Sequence, residues 1–306
     1  YCVPLDGTLL GERALPYAET LARLLGGHLL LAHVTPTDSP ALLGQIFGVE
    51  SARRQAERQA FAPEALLYLR RVREWIAAEG QPIDTLHITA PTVADGLLQI
   101  EKSRDIDLVA VALGEEGEPD TMKVGRVVDR LIRLGVAPAL VIPPEADEGE
   151  RPFALRHLAV TLDGSPLAEQ SLGPLMGVLN QLREQSRELP LVTLLAVAED
   201  YSIQPDYQAY LDKLRDTLAP LPPFSGVRLR AITVVGSAPG AIVGAANHGF
   251  AEDDGETDTP PVDALLMTTH GRSGMGRWLF GSVTHYVLPR IRIPVLLTRP
   301  GPSADQ

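Results

Sequence analysis

The sequence predicts an α/β protein with two doubly wound, five-stranded parallel-sheet domains in tandem. Two observations indicate this fold class. Short β-rich runs alternate with stretches in which apolar residues recur every three or four positions, a pattern typical of parallel strands joined by crossover helices. A motif near the start of the chain also recurs in its second half. The length of 306 residues is enough for two such domains.

The internal repeat shows how the two halves align. Residues 4–12 and 161–169 share Leu, Asp, Gly, Leu and Glu at an offset of 157 residues. Further along, an offset of 156 residues aligns residues 138–141 with residues 294–297. Because the offset is nearly constant over most of the chain, we interpret the repeat as a duplicated domain.

Each half is predicted to contain five strands, because five β-rich runs in each are separated by turn signals or by helical patterns. These runs cover residues 2–6, 28–34, 85–89, 108–112 and 139–142, and then residues 158–162, 192–197, 228–234, 264–268 and 295–298.

The stretches between the strands contain helical candidates with the apolar spacing of amphipathic helices. One of them is rich in Arg between residues 53 and 73, which we interpret as a solvated helix face, with a partner-binding surface as the alternative. The candidates cover residues 9–25, 52–79, 124–134, 167–182, 207–218 and 282–288.

Two acidic stretches mark the predicted domain organisation. The first, residues 143–150, is rich in Pro and Gly and is typical of a linker. The second, residues 252–258, interrupts the second half before its fourth strand and predicts a surface loop. We therefore predict a first domain over residues 1–143, a linker over 144–156, a second domain over 157–300 and a tail over 301–306.

Composition narrows the class of partner. The formal net charge of −12 argues against sequence-independent binding to nucleic acid or an anionic membrane, because such binding depends on clustered Lys and Arg. The single cysteine, Cys2, excludes an internal disulfide and a thiolate metal cluster. No charge-free apolar run of 18 residues and no signal-type segment is found, so we expect a cytoplasmic protein that binds a small molecule or another protein. Tyr1 opens directly on a β-like run, and we expect part of the first strand to precede it.

The first predicted strand of each half ends in an aspartate, Asp6 in the first half and Asp163 in the second. Each aspartate precedes a Gly-Thr or Gly-Ser step into a helix. In one interpretation the carboxylate accepts hydrogen bonds from free N–H groups at the turn or helix start. In the other it binds a base or a ribose, since ligands of open parallel sheets lie beyond the carboxyl ends of the strands. The spacing leaves both interpretations open.

The strongest local signal is the segment of residues 267–284, which leaves a strand, passes through a loop rich in Gly and Arg and enters a helix at Gly281 and Ser282. Free N–H groups and the positive end of a helix can face a phosphate, and glycine lets the backbone approach it. The hydroxyl groups of Ser282 and Thr284 add donors, and Arg272 or Arg277 supplies charge. The alternative is a strand-to-helix turn that holds no ligand.

The segment from Met267 to Val283, with residues 162–165 and 294–297, resembles the universal stress protein family. The resemblance covers nearly the whole chain, twice over, and implies a five-stranded, Rossmann-like domain in each half. The ATP-binding members of that family carry Gly-x2-Gly-x9-Gly-Ser/Thr, and here Thr268 replaces the first glycine. The resemblance also implies that the two domains pair through their last strands, after Pro138 and Pro294.

The resemblance implies one site for ATP, ADP or AMP, with Mg²⁺ accompanying ATP. Asp163 and the backbone of Val197 would meet the adenine and the ribose, while Met267 and His270 line the site. The residues that would hold the phosphates, with the charge of Arg272 beside them, are Gly271, Gly281, Ser282, Val283 and Thr284.

Alignment of the first half at the offset of 156 residues places Glu115 at the position of Gly271. Two further glutamates, Glu116 and Glu118, fall within the same loop. Arg126 falls at the position of Ser282. Repulsion between a close pair of anions would cost a few kcal/mol at an effective dielectric constant of about 20. We therefore predict that the first domain binds no triphosphate. Because Asp6 and Val34 are retained, binding of a non-phosphorylated ligand stays open.

Catalysis is not expected, because the chain lacks the Gly-x4-Gly-Lys-Ser/Thr loop of phosphate-transferring enzymes and has only His270 near the phosphates as a proton carrier. Three hypotheses follow. The first is a nucleotide-binding stress-response protein that regulates partner proteins by its occupancy. The second is a structural interaction protein without nucleotide, and the third is a slow ATPase.

Overall fold

The computed structural model describes residues 1–37, 51–77, 81–114, 125–146, 152–250, 260–269 and 281–299, and for residues 51–62 it describes the backbone alone. Packing divides the chain into two compact units. The first unit comprises Tyr1–Ala112 and Arg126–Ala137, and the second comprises Leu113–Gly125 and Pro138–Gln306.

The first unit is a parallel sheet with helices between its strands. Its strands are β1 (Cys2–Pro4), β2 (Leu29–Pro36), β3 (Ile83–Ala90) and β4 (Val109–Ala112), in the order β3-β2-β1-β4. Its helices are α1 (Leu9–Glu12), α2 (Leu15–Leu25), α3 (Ser51–Ile76), α4 (Val93–Ser103) and α5 (Arg126–Leu134).

The second unit repeats this pattern. Its strands are β5 (Ala139–Ile142), β6 (His157–Thr161), β7 (Leu191–Ala198), β8 (Arg228–Val235), β9 (Ala264–Thr268) and β10 (Val295–Thr298), in the order β5-β10-β9-β6-β7-β8. Its helices are α6 (Pro166–Glu169), α7 (Leu172–Glu184), α8 (Gln204–Leu218), α9 (Ala238–His248) and α10 (Ser282–Val287).

The two strands expected to pair, those after Pro138 and Pro294, do so. β5 and β10 run antiparallel with Val141 opposite Val295, whereas β10 is parallel to β9. All four residues of each of these strands are buried. By packing, β5 therefore belongs to the second unit, although the repeat places its sequence in the first half.

The predicted α/β fold with mainly parallel strands is confirmed, and β5, β9 and β10 have the predicted bounds. The predicted helix over residues 9–25 is instead two helices, α1 and α2, with a break at Arg13 and Ala14. Pro16 lies in the first turn of α2 and accounts for this break, because proline lacks the N–H group that a continuous helix would donate to the Glu12 carbonyl. The second half shows the same division, into α6 and α7.

The helical pattern did not predict α4 and α9, and both contain glycine. In α4, a Cβ atom added at Gly96 would lie 2.5 Å from a side-chain carbon of Val34 in β2. The glycine therefore allows close packing of helix on strand, while it lowers the helical propensity that a sequence pattern detects.

The central strands of the second unit are almost wholly apolar and buried, as is typical of a parallel sheet with helices on both faces. Because β9, β6 and β7 are adjacent and parallel, their carboxyl ends lie side by side at one edge of the sheet. This edge holds the candidate site.

Candidate functional site

Three adjacent strands of the second unit bring predicted site residues to the same edge. Met267 lies near the end of β9, Asp163 follows β6 by two residues, and Val197 is the penultimate residue of β7. The registers place β6 between β9 and β7. Three of the predicted site residues, from separate parts of the chain, therefore lie at the same edge of the sheet.

The start of α10 is held against the end of β9. The Gly281 N–H donates to the Thr269 carbonyl at 3.0 Å, and the Thr269 N–H donates to the Thr298 carbonyl at 3.0 Å. The Thr284 hydroxyl donates to the Thr268 carbonyl at 3.4 Å. The chain thus leaves β9 and returns to the same place, which puts Gly281 and Thr284 beside Met267.

Residues at the start of α10 differ in their access to solvent. Ser282 is exposed and Val283 is half-buried, whereas Thr284 is buried and its hydroxyl bonds to the backbone of β9. The hydroxyl of Ser282 is therefore open to solvent, whereas that of Thr284 holds α10 against β9. The other predicted phosphate-side residues, His270, Gly271 and Arg272, lie outside the described residues.

Gly281 stands at the N-cap position of α10 with φ −56° and ψ 143°. Any residue adopts this conformation, so the backbone itself does not require glycine here. A glycine at this position leaves room beside the first N–H groups of the helix, as a bound anion would need.

Thr268, which replaces a glycine of the resembled pattern, has a side chain that is 7% exposed. It lies directly opposite Thr298 in the parallel pair of β9 and β10. The Thr298 hydroxyl is buried without a hydrogen-bond partner among the described residues. This end of the two strands is therefore lined by buried hydroxyl groups.

Asp163 stabilises the turn between β6 and α6. Its Oδ1 accepts the Ser165 N–H at 2.9 Å, and Gly164 between them has φ +78°, a conformation that favours glycine. The helix cap itself is Ser165, whose hydroxyl accepts the Ala168 N–H at 3.2 Å. Asp163 thus holds the turn with one carboxylate oxygen and stands at the carboxyl edge.

Asp6 of the first unit stands in the same turn. Its Oδ1 accepts both the N–H and the hydroxyl of Thr8, at 3.0 and 2.6 Å, and Gly7 has φ +84°. Thr8 caps α1 through the Gly11 N–H at 3.1 Å. The turn after the first strand therefore has the same geometry in both halves.

The glutamates predicted to exclude a triphosphate from the first half, Glu115, Glu116 and Glu118, lie outside the described residues. Arg126, predicted at the same helix start, is the first residue of α5.

One pair of contacts was not predicted from the sequence. The Tyr210 hydroxyl donates to Glu169, and in the first unit the Tyr68 hydroxyl donates to Glu12. The glutamates coincide in the repeat, which was the available signal. The tyrosines are separated by 142 residues rather than by 156 or 157, because the segments that precede them differ in length.

The first unit carries a polar cluster beside this tyrosine. The rings of His33 and His87 lie 5.8 Å apart on neighbouring strands, and the His33 ring meets Tyr68 edge-on. Burial, and then the nearby His33, lowers the pKa of His87. Burial and the bond to Glu12 raise the pKa of Tyr68. These neighbours favour the uncharged forms of His87 and Tyr68.

A model of the universal stress protein family matches residues 2–143 and 155–299. The chain belongs to the universal stress protein family. The resemblance predicted from the glycine loop and the repeat is thereby confirmed for both halves.

Two universal stress proteins and a protein of unknown function match the chain over nearly its full length. Universal stress protein Slr1230 of Synechocystis is 26% identical over 318 residues, which cover 96% of this chain and 97% of that protein. The crystal structure of a universal stress protein from Archaeoglobus fulgidus covers 100% of this chain and 97% of its own, at 15% identity and a TM-score of 0.66. PA1789 of Pseudomonas aeruginosa, a protein of unknown function, covers 98% and 92% at 15% identity and a TM-score of 0.60. These structures share the fold of this family member.

Within the part of the chain that the structure describes, no helix has the length and apolar character needed to cross a membrane.

Proposed function

We propose that the second unit of this universal stress protein binds an adenine nucleotide, ATP, ADP or AMP, at the carboxyl edge of β9, β6 and β7. The observation that carries the proposal is the hydrogen bond from Gly281 to Thr269, which returns the start of α10 to the edge where Asp163 stands. In this proposal, occupancy of the site alters contacts with partner proteins.

Each residue has a distinct task in the proposed site. The Asp163 carboxylate accepts hydrogen bonds from ribose hydroxyls, and the backbone of Val197 meets the adenine ring. Gly281 gives the phosphates access to the first N–H groups of α10, where Ser282 adds an exposed hydroxyl. The groups nearest the phosphates thus carry no negative charge, while the carboxylate lies at the ribose.

Mg²⁺ would be held chiefly by the nucleotide. Among the described residues, no group of three or more His, Cys, Asp and Glu side chains has a metal-binding arrangement. Mg²⁺ commonly keeps several waters and binds substrate phosphates with one or two protein ligands. This preference fits a site whose predicted phosphate side offers N–H and hydroxyl groups.

We propose a single nucleotide site in the chain. The two halves share the turn at Asp6 and Asp163, so their base ends are alike. The difference lies in the sequence of the loop, where Glu115 and Glu118 stand in the first half and Gly271 and Gly274 in the second. Carboxylates at these positions repel phosphate, so the first half would act as a scaffold.

We further propose that the protein signals by occupancy and not by turnover. Hydrolysis needs a base that orients water at the terminal phosphate. Asp163 stands at the ribose side, and its Oδ1 is already bonded to the turn. His270 is then the remaining candidate, so a slow ATPase would lose phosphate release in His270→Ala.

Isothermal titration of the full chain with ATP, ADP and AMP tests the proposal. We expect one site per chain, lost in Gly281→Asp because the new carboxylate faces the phosphates. Gly125→Asp is the matched control, since Gly125 aligns with Gly281 and an added Cβ meets no atom within 4 Å. Absence of heat and of a thermal shift with all three nucleotides would favour the structural interaction protein. Equal loss in both variants would overturn the one-site assignment.

A further inference from the structure

The outermost strands of the two units, β3 and β8, expose alternate main-chain groups. The Gly236 N–H donates to the Ala198 carbonyl, so even-numbered residues of β8 face β7 and odd-numbered residues face outward. In β3, the Pro82 carbonyl accepts the Leu29 N–H, so even-numbered residues face β2. The direction of the main-chain N–H and C=O groups alternates along a strand. In β3 and β8, these groups of the odd-numbered residues therefore point away from the neighbouring strand.

Side chains of α8 close the outward edge of β8. The Gln208 amide donates to the Ala231 carbonyl at 3.0 Å and accepts the Thr233 N–H at 3.1 Å. Gln204 donates to the Thr233 carbonyl at 3.4 Å. An incoming strand would have to displace these amides, so the edge is protected against pairing.

The corresponding edge of β3 lacks this protection among the described side chains. The matching bonds of Tyr68 to Glu12 and Tyr210 to Glu169 align α3 with α8. Leu66 precedes Tyr68 by two residues, as Gln208 precedes Tyr210. By this alignment Leu66, which is 45% exposed, takes the place of Gln208, and its apolar side chain offers no hydrogen bond to β3.

We propose that β3 pairs with β3 of a second copy of this chain, antiparallel about a two-fold axis at Leu86. In this register Thr85 lies opposite the second copy's His87, and Ile83 lies opposite its Thr89. All four residues have outward main-chain groups, so each opposed pair exchanges two hydrogen bonds. The surface is its own complement, as a two-fold interface requires.

The side chains of the strand are compatible with this occupant. Asp84 is the only acidic or basic residue within β3 apart from His87, and the register places it opposite the second copy's Ile88. Like charges are therefore not opposed, which would be destabilising in a strand pair. Leu66 and Leu67 are exposed residues of α3, which packs against β3, and they lose water contact where the added strand covers them.

Disulfide cross-linking tests the proposed register of the two β3 strands. Leu86 lies opposite itself in a non-hydrogen-bonded pair, where Cα atoms are about 4.5 Å apart, within the range that a disulfide spans. Leu86→Cys should therefore form a covalent dimer under mild oxidation. Ile88→Cys is the control, since it lies opposite Asp84 and should stay monomeric in reducing-agent-free gels. The native Cys2 is 1% exposed and does not compete. Equal cross-linking of both variants, or of neither, would overturn the proposal.

Sedimentation velocity of the full chain tests the edge without cross-linking. Leu66→Gln should weaken the wild-type dimer about tenfold or more, because a closing amide then competes with the partner for outward main-chain groups. Gln208→Leu should add a second association by opening β8. Thr85→Pro removes an outward N–H and should abolish the dimer, whereas Thr85→Val should keep it. A wild-type chain that stays monomeric at high concentration contradicts the proposal, as does a dimer that Leu66→Gln leaves unchanged.

Discussion

The hydroxyl of Tyr210 donates a hydrogen bond to the carboxylate of Glu169 at 2.8 Å. This bond joins α8 to α6, the short helix that follows the Asp163 turn. The first unit has the same bond at 2.9 Å, from Tyr68 to Glu12. Because only one half keeps the predicted glycine loop, retention of the bond in both halves indicates a structural role.

Removal of one of these hydroxyls tests that role. Tyr210→Phe should lower the free energy of unfolding by about 1 kcal/mol, the net value of one hydrogen bond. Tyr68→Phe should cost a similar amount. Urea denaturation measures both, and a nucleotide titration of Tyr68→Phe should match wild type. A large loss of nucleotide affinity in Tyr68→Phe would assign that tyrosine to ligand binding instead.

Gly281→Ala separates folding from binding. The φ of −56° at this residue admits alanine, and alanine at an N-cap costs about 1 kcal/mol, so the thermal midpoint without ligand should fall by only about 2–4 °C. The added methyl group narrows the approach to the start of α10, and the stabilisation by ATP should fall. Differential scanning fluorimetry with and without ATP measures both quantities. A much larger fall without ligand would show that the glycine is needed for packing.

His157 predicts a dependence of stability on pH. The side chain is fully buried, with Nδ1 donating to the Pro260 carbonyl at 2.7 Å and Nε2 accepting from the Thr193 hydroxyl at 2.8 Å. Burial lowers the pKa of His157 below its ordinary value of 6.5. Its contribution to stability is therefore complete above about pH 6.5 and is lost as the pH falls from there toward the lowered pKa.

Urea denaturation between pH 5 and pH 8 checks this sign. The wild type should lose stability as the pH falls, and His157→Gln should show a shallower slope. His87 keeps part of the slope in that variant, because burial also lowers its pKa. His285→Gln, on the exposed side of α10, should retain the wild-type slope. A slope that is unchanged in His157→Gln contradicts the assignment.

Gly96→Ala tests the packing of α4 on β2. The new methyl group would lie 2.5 Å from a side-chain carbon of Val34, so the free energy of unfolding should fall by about 1–3 kcal/mol. Val34→Ala in the same chain should recover much of this loss by making room. A double-mutant cycle measures the coupling, and additive effects of the two changes would mean that the helix shifts without cost.

The sequence predicted the strands better than the helices, for a physical reason. The runs of β9 and β10 are continuous apolar segments with turn residues nearby, and their bounds are the predicted ones. The bounds of the buried strands β6 and β7 differ by one residue at each end from those predicted. Glycine in α4 and α9 weakened the helical pattern, because glycine has a low helical propensity. At Gly96 of α4, close packing on Val34 depends on the absence of a side chain.

The candidate-site residues that lie at the ends of strands were predictable from the sequence. Asp163, Val197 and Met267 follow from the strand assignments, because parallel strands end at one edge. The task of Thr284 was not predictable, since its hydroxyl is directed by the tertiary contact with Thr268. The hydrogen bond of Tyr210 to Glu169 joins two helices whose separation in the sequence differs between the halves. The repeat therefore does not align the two tyrosines and does not predict the bond.

The antiparallel pair of β5 and β10 has a consequence for synthesis of the chain. Val141 and Val295 face each other across 154 residues of sequence, so β5 leaves the ribosome long before its partner exists. Contacts of such sequence separation form late and slow the folding of a domain. Until translation is nearly finished, this apolar strand lacks the neighbour that covers it and is a candidate for chaperone binding. A gene that instead began at β6 would encode β10 without β5, its antiparallel neighbour.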